Sequence, residues 1–148
     1  MRIDVIGGGP AGLYSAILLK KRFPDAAIEV TERNRPDDTF GFGIVLSDET
    51  LANLERADPP TRRAIEAGFA YWDDIFVQYK GTVRKSSGHG FSGIGRLALL
   101  KILQDRAEEL GIPVRYQHED PGVASHRGAD LVIAADGINS AVRTAHVE

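Results

Sequence analysis

The chain has 148 residues, a net charge of -3 and 43% hydrophobic residues, which supplies one ordinary core and is too little for two full domains. Its charges are interspersed without a basic stripe, so a nucleic-acid partner is not expected. With no cysteine, disulfides, thiolate catalysis and cysteine-ligated metal are excluded. His89, His118, His126 and His146 show no metal-ligand spacing and read as ordinary surface or loop residues, so no metal site is expected. The uncharged stretch from Ala11 to Leu19 is too short to span a bilayer, and Asp4 with the following glycines interrupts any signal-peptide core. A soluble cytoplasmic protein with no membrane partner is the expectation.

The chain opens on a β-prone run, Arg2-Ile3-Asp4-Val5-Ile6, which leads into Gly7-Gly8-Gly9-Pro10-Ala11-Gly12 and then a helical stretch. In a strand-turn-helix of this kind Gly7 makes the sharp turn, Gly9 lets a pyrophosphate approach the backbone, and Gly12 lets the helix pack closely on the sheet. The free amides at the start of the helix then face the phosphates. Gly12, Ala16, Leu19 and Phe23 recur at helical spacing, and Pro24 closes the helix. Ala27-Ile28-Glu29-Val30-Thr31 is the expected parallel return strand, with Glu32 at its carboxyl end as an acceptor for both hydroxyls of an adenosine ribose. A carboxylate there repels a 2′-phosphate, so FAD or NAD(H) is favoured over NADP(H).

Phe40-Gly41-Phe42-Gly43-Ile44-Val45-Leu46 reads in two ways: backbone lying flat against a planar ring, or a bent strand with core aromatics. Ser47, Asp48 and Glu49 start a helix that buries Leu51 and Leu54, and a second short helix runs from about Asp58-Pro59-Pro60 to Gly68. From Ile75 to Val83 apolar residues alternate around Gly81, the pattern of a hairpin inserted at about 73–88. The glycine-rich segment from Ser86 to Gly95 reads as a loop with Phe91 and Ile94 partly buried. It leads into a helix whose face carries Leu97, Leu100, Leu103, Ala107 and Leu110. Arg96 opens this helix, where the dipole disfavours a cation; it either meets an anion or is simply solvated. Val114 to His118 is a strand. Leu131 to Ala135 reads as a strand buried on both faces, with Asp136-Gly137 either a ligand-facing end or a structural turn.

Taken together, Gly7 to Gly12, Glu32-Arg33, Arg96 and Ala135-Asp136-Gly137 resemble the group A flavoprotein monooxygenases, the FAD-dependent aromatic hydroxylases. The stretches from Phe40 to Asp48 and from Gly88 to Arg96 resemble the branch that hydroxylates aryl-CoA thioesters, such as the salicylyl-CoA and aminobenzoyl-CoA monooxygenases. The resemblance implies an α/β, Rossmann-like FAD-binding fold of the glutathione-reductase type, with a parallel sheet and a small β-hairpin insertion. It implies that Gly7, Gly9, Pro10, Ala11 and Gly12 hold the FAD pyrophosphate, Glu32 the adenosine ribose and Arg33 the adenine side. Arg96 would also contact FAD, Asp136 and Gly137 match a motif associated with both FAD and the reduced nicotinamide cofactor, and the Phe40 to Leu46 segment would lie near the flavin ring. NADH or NADPH would be the electron donor, O₂ the oxidant, and an aromatic small molecule, as a CoA thioester, the substrate. No catalytic residue is assigned; Asp48 and His89 are candidates that are equally well structural.

Members of that family continue into a Gly-Asp motif and a substrate domain, neither of which follows Gly137 in these residues. The expectation is therefore a truncated, amino-terminal part of an FAD-binding domain that alone holds FAD weakly or not at all and is inactive. A non-catalytic nucleotide-binding module or remnant, and another FAD-linked oxidoreductase, are the alternatives.

Overall fold

The computed structural model describes residues 1–146, which divide into two compact units. The first unit holds residues 1–39 and 100–148, of which 147 and 148 lie outside the description, and the second holds residues 40–99.

The first unit is built on a four-stranded parallel sheet. Strand β1 (Arg2–Ile6) is followed by helix α1 (Pro10–Arg22) and strand β2 (Ala27–Thr31). Ile3 pairs with Ile28 and Val5 with Val30, and all four are buried. A parallel pair needs a crossover, and α1 supplies it. Its buried residues are Gly12, Leu13, Ala16 and Ile17, so the core stripe is wider than the Gly12-Ala16-Leu19-Phe23 row expected from spacing; Phe23 caps the helix and is 40% exposed. A glycine inside a helix costs up to ~1 kcal/mol against alanine. Burying Leu13 and Ile17 returns roughly 2 kcal/mol each, so packing decides the helix.

Strand β8 (Val114–Arg115) joins β2, and β9 (Leu131–Ala134) joins β1, giving the order β8-β2-β1-β9. The strand expected from Val114 to His118 is short because Gln117 takes a left-handed conformation (φ 53°). Two further main-chain bonds, His118 N–H to Glu32 O and Gln117 N–H to Asn34 O, keep the segment beside the end of β2. β9 is an edge strand with Leu131 43% exposed, which corrects the expectation of burial on both faces: it has only β1 as a neighbour. The first unit also contains the carboxyl-terminal turns of α4 (Arg96–Glu109) and helix α5 (Ala141–His146). On α4 the buried residues are Leu99, Leu100, Leu103 and Ala107, whereas Leu97 is 47% exposed and Leu110 half-buried.

In the second unit β3 (Gly43–Ser47), β7 (Phe91–Gly95) and β4 (Ala70–Trp72) form an antiparallel sheet in the order β3-β7-β4. The segment read as a glycine loop is thus, from Phe91, the central strand of a sheet. Gly93 explains part of this: a Cβ there would lie 2.9 Å from the Trp72 ring, so the glycine makes room for the indole. Helices α2 (Asp48–Ala57) and α3 (Pro59–Gly68) follow β3, capped by Ser47 and by the buried Asp58, which accepts from the Thr61 amide and hydroxyl. Leu51 and Ile65 are their buried residues, with Leu54 half-buried. Strands β5 (Ile75–Tyr79) and β6 (Thr82–Ser86) form a hairpin whose turn residues, Lys80 and Gly81, have φ of 45° and 78°, the signs a tight two-residue turn requires. Its Phe76, Val77, Tyr79 and Val83 are all more than half exposed.

One network in the first unit has no counterpart in the sequence reading. His126 places Nδ1 2.7 Å from Asp4 Oδ2 and Nε2 2.8 Å from Asp120 Oδ2. Arg2 grips both oxygens of Asp4, and Thr31 donates to Asp120. His126 is therefore no ordinary surface histidine: its side chain is 10% exposed, and those of Asp4 and Asp120 are 5% and 8% exposed. Burial alone draws the His126 pKa down, but the hydrogen bonds and charges of Asp120 and Asp4 outweigh it and raise the pKa above 6.5. For Asp4 burial works upward, while the bonds from Arg2 and His126 prevail and lower its pKa below 3.8.

A histidine with a raised folded pKa contributes stability in full below its unfolded value and loses it as pH rises through the folded one. Asp4 contributes above its unfolded value and loses it as pH falls through its lower folded one. The unfolding midpoint should therefore fall as pH is raised from about 6 to about 9, and His126→Ala should cost about 2 kcal/mol near pH 6 by removing one charge-assisted donor from each of two buried carboxylates that keep their other donors. Thermal unfolding across that range checks both. A flat profile for the parent chain, or the same slope in the variant, would refute the assignment.

Candidate functional site

The glycine-rich turn between β1 and α1 is built by close approaches. A Cβ on Gly12 would lie 1.9 Å from the Gly7 carbonyl oxygen, and one on Gly7, whose φ is +105°, would lie 2.3 Å from the Ala135 oxygen. These two glycines pack the turn and the helix against the end of β9. Gly9 is different: nothing lies within 4 Å of its Cβ position, so that side of the backbone is open. Gly8, which spacing did not single out, is also confined, since a Cβ there would lie 2.8 Å from Cβ of Glu32.

The mouth of α1 has a polar surplus. Gly9 is the N-cap, Pro10 follows without an amide hydrogen, and no side chain caps the helix. The Ala11 and Gly12 amides belong to the first turn, whose donors have no partner within a helix. By contrast Gly7 N–H donates to the Thr31 carbonyl at 2.8 Å and Gly8 N–H to Glu32 Oε2 at 2.7 Å. The donors are thus divided: two hold the loop to the end of β2, and those deeper in the turn lie at the positive end of the helix.

Glu32 stands just beyond β2 and is half-buried. Its Oε1 accepts from both the backbone amide and the side-chain amide of Asn34, each at 2.7 Å. A carboxylate offers about four lone-pair directions, so with the bond from Gly8 one remains open. Tyr116 lies close enough that burial, and then the Glu32 charge, push its phenol pKa above the ordinary value. Arg33 is exposed. At the end of β9, Asp136 accepts from the Val142 amide at 3.3 Å at the start of α5, and Gly137 has φ +89°. Burial pushes the Asp136 pKa up, but bonds from Ser140 and backbone amides outweigh it and leave it lowered. The first unit thus brings together Gly7, Gly8, Gly12, Glu32 and the backbone of Ala135-Asp136.

Arg96 and the Phe40 to Leu46 segment belong to the second unit. Arg96 N–H donates to the Phe42 carbonyl at 3.2 Å, and its Cδ lies 3.7 Å from the Cβ position of Gly41. Its guanidinium makes no ion pair or hydrogen bond among the described residues. Phe40 and Phe42 are 75% and 104% exposed, which removes the reading of core aromatics. His89 stacks on Phe91 with ring centroids 5.7 Å apart and touches the Ser86 hydroxyl. Asp48 sits 2.1 Å from the Cβ position of Gly90, whose amide is held by Asp73. Among the described residues no cluster fits a metal ion, and no helix is long and apolar enough to cross a membrane.

A parallel β-α-β unit with a glycine crossing and a carboxylate at the end of its second strand defines a class: the Rossmann-like dinucleotide-binding fold of the glutathione-reductase type. Comparison with known proteins narrows the likeness. The chain is 46% identical over 144 residues to a salicyloyl-CoA 5-hydroxylase of Streptomyces sp, covering 97% of this chain and 28% of that protein. It is 32% identical over 143 residues to a 3-hydroxy-4-methyl-anthranilyl-[aryl-carrier protein] 5-monooxygenase of Streptosporangium sibiricum, covering 97% of this chain and 40% of the relative. The crystal structure of a 2-methyl-3-hydroxypyridine-5-carboxylic acid oxygenase variant superposes with a TM-score of 0.82 at 26% identity, over 97% of this chain and 41% of that one. No protein-family model matches. The chain spans less than half the length of each of these proteins.

The packing separates the glycines by role. Gly12→Ala should destabilise by about 3 kcal/mol, the upper end of overpacking, because backbone oxygen cannot move aside. Gly9→Ala, with open space and φ of -72°, should stay within about 1 kcal/mol of the parent. Urea unfolding of the two variants measures the difference, and equal losses would contradict this division.

Proposed function

We propose that this chain is the amino-terminal part of the FAD-binding domain of an NAD(P)H-dependent flavoprotein monooxygenase that hydroxylates an aromatic thioester. The observation that carries the reading is the pairing of an uncapped, open helix mouth at Gly9 with a carboxylate, held by the adjoining Gly8 amide, that retains an open lone pair. An anion fits the first and a hydroxyl donor the second, the two ends of an adenosine diphosphate.

In this reading Gly7 and Gly12 shape the turn, and Gly9, Pro10, Ala11 and Gly12 form the wall that meets the pyrophosphate. Glu32 accepts a ribose hydroxyl; its single open direction favours one hydroxyl over two. Arg33 serves the adenine side. Asp136 and Gly137 serve the cofactor from the end of β9, with the Asp136 carboxylate kept ionised by its amide donors. Arg96, whose guanidinium is uncommitted among the described residues, supplies a cation to the flavin half, and the backbone from Phe40 to Leu46 lies beside the ring. Bound FAD would supply the redox chemistry, with NADH or NADPH as electron donor and O₂ as oxidant. The chain's own residues bind and orient.

The substrate is an aromatic ring carried as a thioester, CoA being the favoured carrier; the names of the two relatives, one acting on a CoA thioester and one on a carrier-protein substrate, support it. A cytoplasmic location, in keeping with the lack of cysteine, completes the proposal.

FAD titrated into the chain should quench flavin fluorescence saturably, with weak affinity, and Glu32→Gln should weaken that binding about tenfold, ~1.4 kcal/mol. The absence of saturable quenching, or equal affinity in the variant, would overturn the cofactor assignment.

A further inference from the structure

Beyond the glycines and Glu32, one side chain in the first unit fixes the orientation of the carboxylate. Asn34 donates twice to the same oxygen, through its backbone amide and its Nδ2, each 2.7 Å from Glu32 Oε1. Gly8 N–H holds the other oxygen at 2.7 Å. A glutamate at a strand end loses rotamer freedom when it is fixed in this way, an entropic cost of up to about 2 kcal/mol. Fold stability gains little in exchange, because the group is only half-buried and water would serve it as well. What the three donors do accomplish is to fix the plane of the carboxylate. They consume both directions on Oε1 and one on Oε2, leaving one acceptor site in a set direction.

Asn34 is itself held. Its carbonyl accepts from Gln117 N–H at 3.1 Å, and the neighbouring Glu32 carbonyl accepts from His118 N–H at 2.9 Å. Gln117 has the left-handed backbone (φ 53°) that ends β8 and turns its amide toward Asn34. The chain from 115 to 118 therefore braces the residue that braces Glu32.

We infer that Asn34 is a positioning residue for ribose recognition: it aims the open lone pair of Glu32 at the nucleoside hydroxyls, so that selectivity for a ribose depends on Asn34 as well as on the carboxylate. The inference rests on the dinucleotide reading above. An aspartate at this position would keep the backbone bond but place a second negative charge against Oε1, and an alanine would keep the backbone bond but leave a second direction on Oε1 open, so that the acceptor is no longer aimed one way.

The test compares binding of ADP with that of 2′,3′-dideoxy-ADP by calorimetry, for the chain itself, Glu32→Gln, Asn34→Ala and Asn34→Ser. The parent chain should prefer ADP, and Glu32→Gln should abolish the preference. Asn34→Ala should bind ADP about fivefold more weakly, the effect of one lost charge-assisted bond acting indirectly, while its affinity for the dideoxy compound stays near that of the parent. A purely structural role would weaken both ligands alike. If Glu32→Gln loses the preference and both Asn34 variants keep it, the positioning role is wrong and the dinucleotide reading stands. If the parent shows no saturable ADP binding or no preference, the dinucleotide reading falls and this inference with it. Loss of cooperative unfolding in both Asn34 variants would make the residue structural and overturn the inference.

Discussion

The first unit depends on how closely β1, α1 and β9 approach one another around two glycines. The Gly7 carbonyl sits where a side chain on Gly12 would be, and the Ala135 carbonyl where one on Gly7 would be. Interiors are packed too tightly to absorb such overlaps, so the absence of two Cβ atoms fixes where α1 begins. From that follow the depth of Leu13 and Ile17 in the core and the placing of Asp136 beside the same turn. A structural requirement and a binding requirement meet in the same residues, and only Gly9, with open space about it, is free of the structural one.

The carboxylate at the end of β2 ties a second set of elements to this crossing. Glu32 reaches the loop through Gly8, its own segment through Asn34, and the strand beside it through main-chain bonds to Arg115 and His118. Displacing any of these shifts the acceptor. The opposite sheet residues carry charge as well: Arg2 and Asp4 on β1 face Glu29 and Arg115, with His126 closing over Asp4. That network is saturated, each carboxylate oxygen having its donor, so it holds a loop to the sheet and leaves no polar group in search of a ligand.

Much of the first unit was legible because its signals are local. Strands β1 and β2, the helix between them and the acid after them occupy one stretch of chain, where period, glycine spacing and a terminating proline all act over a few residues. What escaped reading depends on distant partners. Gly8 is confined by a residue 24 positions away, and His126 is buried by one 122 positions away. Strand β7 looked like a loop because Gly93 and Gly95 lower strand propensity, yet the need to place Trp72 against Gly93 outweighs propensity there. The apolar run of β9 promised burial, but its position at the edge of the four strands exposes Leu131. The two Phe residues of the Phe40 to Leu46 segment carry no period that distinguishes core from surface, and only coordinates show them exposed.

The β5-β6 hairpin has a colloidal consequence. Among the described residues both of its edges are free of a third strand, and Phe76, Val77, Tyr79 and Val83 lie bare on it, the profile of a template for sheet extension between molecules. Lys80, Arg84 and Lys85 are the only charged residues from Ile75 to Ser86; Lys85 is paired with Asp74, and Lys80 and Arg84 leave the ribbon a positive balance that opposes edge-to-edge approach. That protection works through charge and weakens as salt shortens its range, from about 10 Å at 0.1 M to about 3 Å at 1 M. Concentrated salt, ordinarily a benign storage choice, removes that protection from this hairpin.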